Sequence, residues 1–565
     1  MISFCQVCRY DEALSFAKRA VINAQRSLIA IWMIESSRTE LELAESVRLA
    51  DSPRNLFDRA LVLSLLVTLL FFLIGLFGIT HHEMWTDETQ AWLIAKDSAD
   101  LWQLFENIRS ERHPGLWHLC LFFISRFTHA PVAMQIFHLL IASATAFLIA
   151  RFAPFKVWVK FPLIFSYFFA YEYAVISRCY APGIFFIFLF LALNQRKSTF
   201  WATTIVLCLL SNTNVFGLII AASLVVYLVS NELHLNGISH RLRKPRVTVA
   251  AMLLSAAVLL SVFQMIRVTE GVEGYEGWTK RPAVSSSRMI ATSNMIWRSY
   301  VPFPNLSSKN FWNSCILMQT PWTDSIFTKL SPLVVLCWIV LLRKRPAAML
   351  FYLCATSGIL SFSYARYIGN ARHAGHLFVV LVVACWLYYY ASESRGVNGL
   401  FLRLSRRLSA YLTPLLALLL YLHLAAAIYA YLMDYKFPFS SARGMAKFIS
   451  GRGLSNLPIT GFSDVDVSPI AAYLDKQIYY PNQHKLGSFM EWKSRPKSKR
   501  MSSQEALIQM SEFLRQQKSC CLIILTDPLQ LPVLGFDLQF LHATYGSLDW
   551  NQDSYYLYLF HPASK

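Results

Sequence analysis

Long apolar runs recur along the chain between residues 61 and 432. The first run, 61–80, is uncharged, and a helix of about 20 apolar residues crosses a bilayer core of roughly 30 Å. Several later runs are short for a full crossing. The pattern predicts a polytopic α-helical membrane protein with about 11–13 transmembrane helices. The later runs occupy 114–127, 131–150, 161–171, 181–193, 199–211, 214–230, 247–267, 331–342, 346–364, 374–390 and 408–432.

Both ends of the chain break this pattern. Residues 1–57 mix charges with apolar positions at helical spacing, which predicts a cytoplasmic N-terminal segment of one or two helices. A mis-assigned start codon is the alternative. Residues 436–565 alternate strand-length apolar runs with helical periodicity, which predicts a small soluble α/β domain with a largely parallel sheet. The region between them, 58–435, is the predicted transmembrane domain.

The elements of the C-terminal domain are predicted individually. No glycine-rich phosphate loop follows any of its strands, so a nucleotide site is not expected there. The strands are predicted at 457–461, 477–480, 521–525 and 555–560, and the helices at 468–474 and 502–517.

Composition and charge support the membrane assignment. The chain is 55% hydrophobic and only 15% charged, whereas soluble proteins carry about 25% charged residues. Its mean hydropathy is +0.41. The net charge of +19 would suggest a nucleic-acid partner in a soluble chain. Here the lysines and arginines mostly flank apolar runs, so the positive-inside rule accounts for them and no nucleic-acid partner is expected.

The same basic clusters predict an orientation. If all of them are cytoplasmic, four polar stretches and the chain after residue 433 share the outer side of the membrane. This arrangement requires that the runs 114–127 and 131–150 make one net crossing together, so either one helix is re-entrant or a boundary is wrong. The four outer stretches are 81–113, 171–180, 268–330 and 365–373.

Two adjacent carboxylates, Asp87 and Glu88, follow the first apolar run by a few residues. Carboxylates are costly near lipid, so this pair is a candidate functional site. A carboxylate can take a proton from a hydroxyl, and its oxygens can also bind hard cations. The alternative is an acidic loop in contact with solvent.

Cationic side chains occur in two other outer stretches. Arg178 interrupts nearly continuous apolar sequence, where an unpaired arginine costs about 2.5–3.5 kcal/mol and therefore needs an anionic partner. A structural pair with Glu172, or an Arg178 side chain reaching the interface, is the alternative. Arg366, Arg372 and His373 crowd the start of another apolar run, where arginine and a helix N-terminus suit phosphate. A plain basic loop is the alternative there.

Two further features complete the candidate set. His113 precedes a proline that opens an apolar run, where it is either a helix-cap residue or part of the cavity that holds Asp87. The stretch 268–330 contains a glycine-punctuated segment with Lys280, of the kind that closes over a site or contacts an acceptor.

Together these motifs resemble a known family. The chain reads Trp-x-Asp-Glu-x-Gln-Ala-Trp at 85–92, His-Pro-Gly at 113–115 and Ser-Arg-x-Tyr at 177–180. This set resembles the membrane-embedded C-type glycosyltransferases, which include the protein O-mannosyltransferases and the aminoarabinose and lipopolysaccharide-core sugar transferases. The resemblance covers about residues 60–435 in layout, although its specific motifs are only some tens of residues. Known members often read His-Pro-Pro at the second motif.

The resemblance implies a reaction. A sugar arrives on a polyprenyl phosphate, the first-loop aspartate acts as base on the acceptor or positions it, the anomeric carbon inverts and the polyprenyl phosphate leaves. By position, Asp87 is the base with Glu88 beside it. The implied phosphate-binding residues are Arg178, Arg372, His373 and Arg366, and the further cavity candidates are His113, Tyr180, Gln90 and Lys280.

The resemblance also implies partners and a location. The donor is a polyprenyl-phosphate-linked sugar, the acceptor is a glycan, a lipid or a protein, and the enzyme lies in the inner or plasma membrane with its catalytic loops outside. Glu172 is followed by Tyr and Ala and so forms no second acidic pair, which is why no cofactor is expected; a divalent metal at Asp87 and Glu88 is the alternative. A lipid-linked sugar transporter or flippase, and an oligosaccharide polymerase or ligase, are the competing functions.

Overall fold

The computed structural model describes most of the chain after residue 52. The predictions for residues 1–52 and for Lys280 lie outside the described residues. The described ranges are 53–195, 199–236, 244–266, 285–306, 311–392, 410–462, 464–491, 502–533, 535–546, 548 and 554–562.

Most helices up to residue 436 coincide with the predicted apolar runs. They are α1 (Pro53–His81), α2 (Thr86–Asp97), α3 (Leu101–Asn107), α4 (Leu116–Ser125), α5 (Val132–Phe152), α6 (Val157–Ile164), α7 (Tyr180–Asn194), α8 (Phe200–Ser211), α9 (Val215–Asn236), α10 (Pro245–Ile266), α11 (Ser286–Tyr300), α12 (Pro321–Leu342), α13 (Pro346–Ala365), α14 (Ala371–Tyr390) and α15 (Leu412–Lys436). Among the described helices, α1, α5, α9, α10, α12, α13, α14 and α15 are long and apolar enough to cross a membrane, and α4, α7 and α8 are shorter apolar helices. The prediction of a helical chain with many membrane-length apolar helices is confirmed.

Helix α14 is the central helix of this bundle. Of its apolar span, 83% is buried, the highest share among the eight long helices. It is apolar on all sides from Leu377 to Leu387, which is the pattern of a helix that packs in an interior. It lies against α11 and α13. Its first turn carries Arg372 and His373, so both residues are held at one end of the bundle, called the site end below.

Helix α4 begins and ends at the site end. At its start, the Gly115 N–H donates to the Gln264 side-chain oxygen at the end of α10, over 2.8 Å. Past its end, the Arg126 guanidinium donates to the carbonyls of Ala95 and Ser98 at the end of α2, over 3.0 and 3.1 Å. Its ten residues rise only about 15 Å. This is about half of the roughly 30 Å of a bilayer core, so α4 is too short to cross it.

The stretch 268–330 is not a loop throughout. Residues Ser286–Tyr300 form α11, and α12 begins at Pro321, ten residues before the predicted start of that run. The two helices are joined by hydrogen bonds, because Trp297 donates to the Phe327 carbonyl over 2.6 Å. The sequence analysis missed α11 because the polar face of this helix lowers its average hydrophobicity. Its apolar face packs on α14.

A π-helical segment, Tyr167–Glu172, follows α6 and leads toward Arg178. Widened turns of this kind are rare in proteins as a whole, and those that occur are often found at functional sites. All six residues of the segment are buried. It brings Tyr171 and Glu172, the first residues of the predicted outer stretch 171–180, to the site end.

The C-terminal region contains one mixed sheet of six strands in the order β3-β2-β1-β4-β6-β5. Only β1 with β2 and β1 with β4 pair in parallel; β2–β3, β4–β6 and β5–β6 are antiparallel. The prediction of a largely parallel sheet is therefore wrong, because the strands β3 and β5, which it lacked, both add antiparallel pairs. The elements are α16 (Ala442–Gly451), β1 (Ile459–Gly461), α17 (Asp464–Leu474), β2 (Ile478–Tyr480), β3 (Lys485–Gly487), α18 (Ser503–Gln516), β4 (Cys521–Leu525), β5 (Asp537–Thr544) and β6 (Tyr555–His561); short 3-10 turns lie at Ile108–Ser110, Ile316–Met318 and Leu454–Asn456.

Candidate functional site

Asp87 lies in the first turn of α2, where the sequence predicted a loop. A carboxylate is favourable at a helix N-terminus because of the helix dipole. The Asp87 side chain is 30% exposed, so it is accessible from outside the bundle.

Two arginines from distant parts of the chain meet at Asp87. Its Oδ2 atom lies 2.7 Å from Nη2 of Arg372 and 3.5 Å from Nη2 of Arg178. Arg178 also donates to the backbone carbonyl of Asp87. The side chain of Arg372 is only 5% exposed and that of Arg178 is 12% exposed. The three charged groups that the sequence suggested for one side of the membrane are thus brought into direct contact.

Aromatic rings hold the Arg372 guanidinium in place. Its central carbon lies 5.0 Å from the Trp85 ring centroid and 5.4 Å from that of Trp312, distances at which a cation is attracted to a ring face. The Tyr173 hydroxyl donates to the Arg372 carbonyl over 2.7 Å. Nε and Nη1 of Arg372 are buried without a hydrogen-bond partner, as is Nε of Arg178. Unused donors of this kind are what a bound anion would satisfy.

Glu88 faces away from this cluster, although it is the next residue. It is fully buried, and its Oε2 lies 2.9 Å from Nε2 of His82, whose Nδ1 lies 2.8 Å from Asp434. Its Oε1 accepts the Ser177 N–H over 2.6 Å. The prediction that Glu88 is catalytic is not supported by this geometry, because both oxygens are occupied by protein donors. Glu88 instead ties the residue beside Arg178 to the turn that carries Asp87.

His82 is the centre of this second network. Burial lowers its pKa, but the carboxylates of Asp434 and Glu88 outweigh that effect and raise the pKa to about 10. The Tyr171 hydroxyl also donates to Asp434, over 3.0 Å. A protonated His82 between two carboxylates therefore joins the end of α1, the start of α2 and the end of α15.

Glu172 does not pair with Arg178, so that alternative is wrong. Its Oε2 accepts from the Tyr167 hydroxyl over 3.0 Å and from the Trp312 indole over 3.1 Å. The second bond fixes the ring that lies against Arg372. Glu172 thus acts on the site through Trp312.

His373 is not placed as a phosphate-binding cation. Its Nδ1 accepts the Asn370 N–H over 2.9 Å, so that nitrogen carries no proton. Its Nε2 lies 2.9 Å from the Tyr180 hydroxyl. The ring is therefore neutral in this arrangement, donates to Tyr180, and orients that hydroxyl near the cationic cluster.

His113 and Arg366 border the cluster in different ways. Nδ1 of His113 is buried without a partner. Burial, Arg178 and Arg372 together lower the pKa of His113 to about 4 against the opposing effect of Asp87, so the imidazole is neutral near pH 7. Arg366 is half-buried just beyond α13, six residues before Arg372.

Gln90 does not line a cavity. Its amide group forms two hydrogen bonds of 2.9 Å with the backbone of Met490, one as donor and one as acceptor, and it also donates to Glu111 over 2.9 Å. It is a connection between α2 and the C-terminal sheet region. This corrects its assignment as a cavity residue.

Sequence reasoning missed several residues that organise the site. His82 and Asp434 stand beside membrane-length helices, and an ionisable residue at such a position was the available signal. For Trp85 and Trp312, the sequence indicated only that tryptophan is common at membrane interfaces. What they contact depends on the fold.

The cluster is poorly suited to a divalent metal. Asp87 already faces two guanidiniums, and both oxygens of Glu88 accept hydrogen bonds from elsewhere. Among the described residues, no group of three or more histidines, cysteines, aspartates or glutamates is placed to hold a metal ion.

No known protein family, curated protein or solved structure matches the chain.

Proposed function

We propose that this protein is an inverting glycosyltransferase that moves a sugar from a polyprenyl-phosphate donor to an acceptor hydroxyl. One observation carries the proposal: a partly exposed carboxylate, Asp87, contacts two buried guanidiniums, Arg178 and Arg372, at one end of an apolar helix bundle. Such a site offers a proton acceptor and a phosphate site side by side.

We place the site end outside the membrane. Helices α1, α5, α7 to α10 and α12 to α15, with α6 and the π-helical segment counted together, would make eleven crossings. An odd number puts the start of α1 and the C-terminal domain on opposite sides of the membrane. With the start of α1 on the cytoplasmic side, the C-terminal domain lies outside. The basic group Arg343, Lys344 and Arg345, between α12 and α13, then lies inside, as the positive-inside rule requires.

The charge of the cluster suits a lipid-linked donor. Asp87, Arg178 and Arg372 together carry one more positive than negative charge. A phosphodiester carries one negative charge and would restore the balance. Its oxygens would also satisfy the unused N–H groups of both arginines.

The proposed reaction is a single displacement. The acceptor oxygen forms a bond to the anomeric carbon as its proton passes to the Asp87 carboxylate. The bond between the anomeric carbon and the phosphate oxygen breaks, and its electron pair stays on that oxygen. The phosphate gains one negative charge as it leaves, and guanidiniums at contact distance stabilise it most where that charge develops.

The test uses the protein in lipid nanodiscs with a panel of polyprenyl-phosphate-linked sugars and a membrane extract as the source of acceptors. Released polyprenyl phosphate is measured by mass spectrometry. We expect Asp87→Asn to slow release by about 10²–10⁴-fold, the usual contribution of a general base. Glu106→Gln is the matched control, because the Glu106 side chain in α3 is 31% exposed, close to the exposure of Asp87, and pairs with Arg109.

Full activity of a folded Asp87→Asn protein would refute the assignment of the base. A transporter would give a different result. Fluorescent sugar lipid would then move between the leaflets of a vesicle without any release of polyprenyl phosphate.

A further inference from the structure

Asp87 occupies the place where a donor phosphate would bind. Its Oδ2 is the atom that contacts both guanidiniums, at 2.7 Å from Arg372 and 3.5 Å from Arg178. An oxygen held between two arginines is the arrangement of a bound phosphate oxygen. In this state the same oxygen is not available to take a proton from an acceptor.

We propose that Asp87 is a resident counter-ion that the donor phosphate displaces, so that both oxygens of its carboxylate become available to the acceptor only after the donor has bound. This rests on the proposed function and adds an order to it: donor first, acceptor second. In the empty enzyme the acceptor hydroxyl would meet a carboxylate whose Oδ2 is held by the two arginines.

The surroundings favour movement of the carboxylate and not of the arginines. Arg372 is held by Trp85, Trp312 and the Tyr173 hydroxyl. The Asp87 side chain is 30% exposed, compared with 5% for Arg372. A rotation of the Asp87 side chain about its own bonds exchanges the guanidinium for solvent or acceptor and leaves the arginines in place.

The second network keeps the backbone still during that exchange. Glu88 holds the turn at the start of α2 through His82 and the Trp85 N–H. It also holds the Ser177 N–H, beside Arg178. The two chain segments of the site are therefore fixed to one buried carboxylate, and only the Asp87 side chain has to move.

A phosphate also competes well for these donors. It offers several acceptor oxygens, whereas the ion pairs use only one oxygen of Asp87. Nε and Nη1 of Arg372 and Nε of Arg178 are left without partners while Asp87 is in place. Replacement of the carboxylate by a phosphate would use more of these groups.

The test measures binding and does not depend on turnover. The probe is farnesyl phosphate, a short isoprenyl monophosphate, titrated by calorimetry into the full-length protein in nanodiscs. We expect Asp87→Asn to bind the probe at least 10-fold more tightly than the wild type, because the internal competitor is gone. Arg372→Gln should bind it at least 10-fold more weakly, and Glu106→Gln should bind it like the wild type.

Salt separates displacement from a general charge effect. Long-range repulsion between Asp87 and the probe is screened at 0.5 M salt, where the Debye length is about 4 Å, whereas competition at contact persists. Asp87→Ala should show the same gain in affinity for farnesyl phosphate as Asp87→Asn. It replaces Asp87→Asn in the test if the asparagine variant does not fold.

The outcomes are distinct. Tighter binding by the Asp87 variants, both at low salt and at 0.5 M salt, supports displacement. The same conclusion holds if the variants bind the probe and the wild type binds it too weakly to measure. Equal or weaker binding by the variants, or a gain that vanishes in high salt, overturns displacement and leaves the phosphate site standing. Failure of the wild type and both Asp87 variants to bind overturns displacement together with the proposed phosphate site.

Discussion

At the scale of single residues, neighbours in sequence have opposite surroundings. Asp87 is partly exposed and faces Arg178 and Arg372, whereas Glu88 is fully buried and faces His82. Successive residues of a helix are about 100° apart around its axis. One side chain of an acidic pair in the first turn therefore points toward the site and the other into the core.

The His82 network predicts a loss of stability at alkaline pH. The pKa of His82 is raised to about 10 in the fold, against about 6.5 in an unfolded chain. The stabilisation is therefore complete below pH 6.5 and is lost as the pH rises toward 10. We expect the thermal unfolding midpoint to fall more steeply between pH 6.5 and 9.5 in the wild type than in His82→Gln.

The same substitution should be costly at neutral pH. Without the imidazolium of His82, the carboxylates of Glu88 and Asp434 stay buried but lose their cationic partner. Breaking a buried ion pair in this way costs about 3–5 kcal/mol of folding free energy. His129→Gln is the control, because His129 is an exposed histidine that contacts Asp475. Parallel pH profiles for wild type and His82→Gln would contradict the assignment of a protonated His82.

At the scale of elements, α2 is held by the C-terminal domain along its length. The Met84 N–H just before the helix donates to the Tyr473 hydroxyl over 2.8 Å. Gln90 binds Met490 in the middle of the helix, and Ser488 donates to Asp97 at its end. The sheet domain is therefore part of the support for Asp87 and not an independent appendage.

Gln90→Ala tests this support. The Met490 N–H and carbonyl would lose their partner, and an unsatisfied buried polar group costs about 1–3 kcal/mol. We expect faster hydrogen exchange, by mass spectrometry, in peptides that cover α2 and residues 485–491. Gln103→Ala is the control, because the Gln103 side chain binds only the nearby Ala99 N–H among the contacts described. Unchanged exchange in Gln90→Ala would show that the domain does not hold the helix.

At the scale of the whole molecule, the helix ends decide which charges can meet. Helix α13 has 20 residues and spans about 30 Å, so Arg345 before it and Arg366 after it lie at opposite ends of the bundle. The residues around Asp87 are all at one end, the end that the loop charges predict to lie outside the membrane.

Cysteine labelling of intact cells tests that orientation. Ile508 in α18 is 68% exposed, so Ile508→Cys should react with a membrane-impermeant maleimide from outside. Lys344→Cys, between α12 and α13, should react only after the membrane is opened. The wild-type chain, with its own cysteines, gives the background. The reverse labelling pattern would place the site in the cytoplasm.

The sequence alone determined which segments are apolar helices, because their length and uniform hydrophobicity do not depend on their neighbours. It also indicated Asp87, Arg178 and Arg372, since a charge beside a membrane-length helix is costly unless it has a partner. It did not indicate α11, whose polar face hides it, or β3 and β5, which are short or largely exposed.

Only the tertiary structure decided which partner each charge has. Asp87 meets Arg372 across 285 positions of sequence, and His82 meets Asp434 across 352. Such contacts depend on which helix ends lie side by side, and this is set by packing of apolar faces that are nearly equivalent in composition. For that reason the sequence could name the charged residues, but only the packed bundle assigned Asp87 to the arginines and Glu88 to the buried histidine.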